Sequence, residues 1–154
     1  MDTKVIFRGI AGVLIGIAMG SLSMTAFHSL GMVIWPEEPY PVGASEMELK
    51  VWMEGLSLPT KLFASLAHWV GTAAGAAAAV LVSHPKLNPV DGVRMRPMWP
   101  AWTLGAWFWI GGMANAWMLG TPLWLTLIDF VGYLPAAWLV GRGLKNWRMR
   151  SDHA

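Results

Sequence analysis

From Gly9 to Trp35 the chain contains no Asp, Glu, Lys or Arg. No other feature narrows its possible folds as much. The hydrocarbon of a bilayer is about 30 Å thick, and an α-helix of roughly 20 apolar residues crosses it. Three later stretches are also long and apolar. Together they predict helices over about 5–34, 59–82, 99–119 and 122–141. Charged residues make up only 13% of the 154 residues, against about 25% in a soluble domain. The expectation is a single all-α domain over 1–154, an integral membrane four-helix bundle. The 11 tryptophans suit such a chain, because an indole at the membrane boundary buries its ring and keeps its N–H wet. The first apolar stretch follows Lys4 and Arg8 as a signal peptide would. It is far longer than the roughly 7–15 residues of a signal core and lacks a clear small-x-small cleavage site, so a retained helix is expected.

Lys and Arg placement sets the expected topology, since basic residues stay on the cytoplasmic side. Lys4 and Arg8 precede the first helix. Lys86, Arg94 and Arg96 fall in the loop 83–98, and Arg142, Lys145, Arg148 and Arg150 in the tail 142–154. Only Lys50 and Lys61 fall on the other side. Both termini are therefore expected in the cytoplasm of a bacterial inner membrane, with the loop 35–58 in the periplasm. The basic residues cluster at the ends of apolar segments, where they orient a membrane protein, so nucleic acid is not the expected partner. The lipid bilayer is, together with other membrane subunits or further copies of the chain.

The periplasmic loop carries Glu37, Glu38, Glu46, Glu48 and Glu54. Pro36, Pro39 and Pro41 keep its first part extended. Ser45 stands three residues before Glu48, the pattern of a capping box. A short interfacial helix from Glu46 to Leu56 is expected between helices 1 and 2. It would place Leu49, Trp52, Met53 and Leu56 on one face.

Small residues recur at every fourth position: Gly12, Gly16 and Gly20 in the first helix, Gly71, Gly75 and Ala79 in the second. Without a side chain, two backbones approach closely, and in lipid that contact is a main adhesive between helices. Met24, His28 and Met32 continue the first stripe. Thioether and imidazole suit copper(I), and His28 with His68 could ligate a haem. Methionine is equally a flexible gap-filler in apolar packing, and no compact Met-x-x-Met cluster occurs. No resident cofactor is implied. Cysteine is absent, which excludes disulfides and thiolate chemistry.

The sharper signal is polar. His68, Asn115 and Asp129 stand inside three different apolar stretches, with Tyr133 one turn after Asp129. At about 1.5 Å per residue they fall roughly 5–9 Å outward of the segment centres, in one layer. An ionisable group there costs about 3 kcal/mol or more unless it finds a partner. His68 with Asp129 is the obvious pair, with Asn115 and Tyr133 as further hydrogen-bond partners. The layer reads equally as a network fixing helix register and as a ligand or proton site. Pro135 is expected to kink the last helix beside it. No phosphate loop, His-Glu-x-x-His pair or nucleophile elbow occurs.

Written out, these residues resemble a family of small four-helix bacterial inner-membrane proteins with no known activity. The likeness rests on Leu66-Ala67-His68 with Gly71-Thr72 and Gly75-Ala76. It continues through Gly111-Gly112, Asn115, Met118-Leu119, Pro122, Trp124, Asp129, Tyr133 and Pro135. It implies a bacterial cytoplasmic membrane location and supplies no activity. Small size and the missing catalytic motifs favour a non-enzymatic accessory or subunit-like protein. A small transporter or ligand-binding protein using the polar layer is the alternative. A further one is an intramembrane redox or metal protein.

Overall fold

The computed structural model describes residues 3–83 and 98–151, with the side chains of 145 and 148–151 left out. The basic loop residues Lys86, Arg94 and Arg96 lie outside that range. The described residues form five α-helices and no strand: α1 Thr3–Ile34, α2 Glu46–Gly55, α3 Leu58–Ser83, α4 Trp99–Met118 and α5 Leu123–Ser151. This corrects the four-helix expectation in two ways. The loop helix α2 is an element of its own. Only three helices, α1, α3 and α5, are long and apolar enough to cross a membrane. α4 has the length, at 20 residues, but five of them are Trp and others are Pro, Gly and Asn. Those residues rank low in hydropathy, which leaves α4 out of that set although it carries no charge. α5 also runs ten residues past the expected end at 141, through the stretch read as a tail.

Helix α1 shows why the bundle closes. All its buried residues are glycines: Gly9, Gly12, Gly16, Gly20 and Gly31. Its large side chains, among them Phe7, Leu14 and Leu22, point outward and are exposed. A soluble helix buries its large apolar residues, so this inversion fits a helix surrounded by lipid. The glycine face meets α3 backbone to backbone. A Cβ on Gly16 would lie 2.7 Å from the Gly75 carbonyl oxygen, and one on Gly75 would lie 2.6 Å from that of Gly16. Gly20 and Gly71 stand in the same relation, each 2.8 Å from the other's carbonyl oxygen. Leu104 and Phe108 of α4 cap these contacts. With Ala76, Val80, Ala101, Tyr133 and Ala137 they form the core.

Contacts also fix which ends lie together. Gly9 meets the Trp99 indole, Gly12 meets Ser83, and Gly141 meets Met98. The start of α1, the end of α3, the start of α4 and the Gly141 turn of α5 therefore share one end. Arg142 lies there with its guanidinium 5.1 Å from the Trp138 ring. The opposite end holds α2 and the tight α4–α5 turn, where Gly120 has φ +60°.

Helix α2 forms as its first residues dictate. Ser45 Oγ accepts the Glu48 backbone N–H, and Glu48 Oε2 accepts the Ser45 N–H at 2.8 Å, closing the capping box. The Ser45 N–H and the Ser45 hydroxyl, which also donates to Oε2 at 2.8 Å, hold the Glu48 carboxyl below the usual glutamate range. Trp52 Nε1 donates to the Glu38 carbonyl at 3.1 Å and Lys61 Nζ to the Glu54 carbonyl at 2.9 Å, and Lys50 rests against Gly120. Thus α2 bridges from the start of α3 to the α4–α5 turn, as a roof.

Candidate functional site

Beneath that roof, α3 contributes His68 and α5 contributes Asp129 and Tyr133. His68 Nδ1 lies 2.8 Å from Asp129 Oδ2, and the Tyr133 hydroxyl donates to the same oxygen at 3.0 Å. One helical turn separates Asp129 from Tyr133, which places both on one face of α5. The Tyr133 ring also stacks on the imidazole, centroids 5.9 Å apart. His28 of α1 completes the group, its ring 5.1 Å from that of His68. The His68 and Asp129 side chains are only 15% and 14% exposed, so the pair is largely withdrawn from its surroundings. Asp129 Oδ1 is buried and has no hydrogen-bond partner among the described residues. The carboxylate thus directs both protein donors to one oxygen and leaves the other unanswered.

The pair is braced from behind. Trp69 Nε1 donates to the Asp129 carbonyl at 3.2 Å, and its indole fills the space a side chain at Gly132 would need. The Tyr133 hydroxyl lies where a side chain at Gly112 would point. Thr72 Oγ1 donates to the His68 carbonyl at 2.8 Å.

In front of the pair lies a cavity of about 250 Å³. His28, His68 and Asp129 lie at its inner end. Phe63, Ala64, Leu119 and Leu125 are among its walls, and Trp52, Met53 and Leu56 of α2 roof it. Glu37, Glu38 and Lys61 stand at its outer end. Glu37 Oε1 accepts the Ser57 N–H at 3.1 Å and the Thr60 hydroxyl at 2.7 Å. Hydrogen bonds from Ser57 and Thr60 hold its carboxyl below the usual glutamate range.

No family model, curated protein or solved structure matches the chain. The site is therefore read from its own geometry. The structure brings His68, Asp129 and Tyr133 together. Asn115 lines the cavity but makes no side-chain hydrogen bond to them. Its depth along α4 puts it in the layer, but it is exposed and not bonded to the pair. Met24 packs against Gly71 in the α1–α3 contact, whereas His28 and Met32 line the cavity. Among the described residues no three His, Asp or Glu side chains gather as metal ligands would. Gly12, Gly16, Gly20, Gly71 and Gly75 all lie in the α1–α3 interface. Sequence reasoning missed Trp69 and Glu37. A tryptophan beside His68, facing a glycine three residues after Asp129, was a signal for the first. Ser57 and Thr60 at a helix start were a signal for the second.

Proposed function

We propose that the protein binds a small molecule within the membrane, as a ligand-binding protein or small transporter. The observation that carries this is the cavity of about 250 Å³ ending on His68 and Asp129. A purely structural ion pair has no use for such a space: natural cores are close-packed, and voids larger than a water are few. The volume far exceeds the roughly 10–15 Å³ that one water needs. It sits just under the roughly 300–1,000 Å³ of common ligand pockets, so the ligand is small. Apolar walls with a few convergent polar groups are what such pockets share. This favours ligand binding over the accessory role, for which no corresponding feature stands out.

The resemblance to small bacterial inner-membrane proteins supports a place in that membrane. Lys4, Arg8 and Arg142 gather at one end, and the acidic loop at the other. That asymmetry, with α4 running back from the end that holds Gly9 and Trp99 to the end that holds Gly120 and α2, supports cytoplasmic termini, with α2 and the cavity mouth toward the periplasm.

Ala116 lines the cavity, and Ala116→Phe would fill much of it. Wild type and variant, purified in native lipid particles, should differ by native mass spectrometry. The wild type should retain a bound species smaller than a phospholipid, and the variant should lose it while keeping its thermal stability. Identical spectra without any such species would contradict the proposal.

A further inference from the structure

The geometry points to a small organic cation, an ammonium ion carrying a compact apolar group, as the ligand of the cavity. This rests on the cavity being a binding site. Charge is the first ground. The lining holds three carboxylates, Glu37, Glu38 and Asp129, against the single ammonium of Lys61. Lys61 Nζ is turned to the Glu54 carbonyl of the roof helix. The imidazoles His28 and His68 add positive charge only when protonated. With those imidazoles neutral, the lining is net negative, and low-dielectric walls focus that field on whatever enters.

The second ground is the state of Asp129. Both of its protein donors, His68 and Tyr133, go to Oδ2, while the buried Oδ1 has none. Half of a carboxylate in a poorly hydrated site is thereby left uncompensated, which is costly. A cation at the inner end of the cavity offsets that charge through space, without having to reach Oδ1. A neutral or anionic ligand of the same shape does not.

The third ground is aromatic. Tyr40, Trp52 and Phe63 line the outer half, with Tyr40 and Trp52 edge to face, centroids 5.4 Å apart. Aromatic faces attract ammonium groups, most strongly where water is excluded. Trp52 is held in place by its bond to the Glu38 carbonyl, which ties one of these rings to the acidic mouth. Glu37 and Glu38 then attract the cation, the rings pass it inward, and Asp129 meets it.

The test compares benzylammonium, benzyl alcohol and benzoate, which share a size and differ in charge. Binding is measured calorimetrically at neutral pH to the full chain in phosphatidylcholine nanodiscs, with empty nanodiscs as the blank. Benzylammonium should bind roughly ten-fold or more tightly than either analogue. Asp129→Asn should remove that preference, and Ala116→Phe should abolish binding. If benzyl alcohol or benzoate binds as tightly as benzylammonium and Ala116→Phe removes that binding, the cation is wrong and the cavity stands. If none of the three binds the wild-type protein, both readings fall. The comparison of the three probes on wild type needs no variant to fold.

Discussion

Asp129 is the residue on which the site turns. Asparagine keeps its size and an acceptor oxygen for His68 and Tyr133, whereas leucine leaves both without a partner. Asp129→Leu should lower stability by about 1–3 kcal/mol and Asp129→Asn by clearly less. Thermal unfolding in detergent reads this, and equal losses would show that the two donors do not depend on the carboxylate. Glu37 acts differently. Its carboxyl is held below 4.5 by bonds from Ser57 and Thr60, so its folded pKa lies under the unfolded one. Such a group contributes stability that is present above the unfolded value and is lost as pH falls through the folded value. The difference in melting temperature between wild type and Glu37→Gln should therefore shrink as pH drops below about 4.5. A constant difference across that window would remove the carboxylate from the account. Neither Glu37 nor Trp69 was legible as a partner in advance, because both bonds join residues 20 or more apart in the chain.

At the scale of elements, the α1–α3 seam is the strongest case of sequence dictating structure. Glycine at every fourth position leaves a groove, and the opposing carbonyls fill it at 2.6–2.8 Å from where a Cβ would stand. Gly16→Leu or Gly75→Leu should cost roughly 1–3 kcal/mol, more than the outward-facing change Leu14→Ala. Unaltered melting of both leucine variants would mean that α1 and α3 meet elsewhere. The capping box of α2 was legible for the same reason, since Ser45 and Glu48 act within one turn. α4 was not read correctly. It lacks charge along its length, but its five tryptophans, its glycines and Asn115 rank low in hydropathy, which leaves it out of the helices that qualify as membrane-crossing. Its inward residues, Leu104, Gly105 and Phe108, fit it to the other helices, and that fit depends on their shapes. Asn115 lines the cavity without bonding to the pair: depth along a helix follows from counting residues, but the direction a side chain faces follows from how the helix packs.

For the whole molecule, the central feature is a cavity that opens under α2 on the side away from the termini and reaches His68 and Asp129. No periodicity in the sequence encodes such a cavity, because it is the space five helices leave between them. The chain has no cysteine, so single cysteines report on it cleanly. Glu46 marks the exposed surface of α2, Ser151 the end of α5, Leu14 the lipid-facing side of α1 and Ala64 the cavity wall. Each is replaced by cysteine, and intact spheroplasts are treated with a small membrane-impermeant thiol reagent. Labelling is expected at Glu46→Cys and Ala64→Cys, and none at Leu14→Cys or Ser151→Cys. Labelling at Ser151→Cys but not at Glu46→Cys would reverse the topology. An unreactive Ala64→Cys beside a reactive Glu46→Cys would contradict the cavity itself.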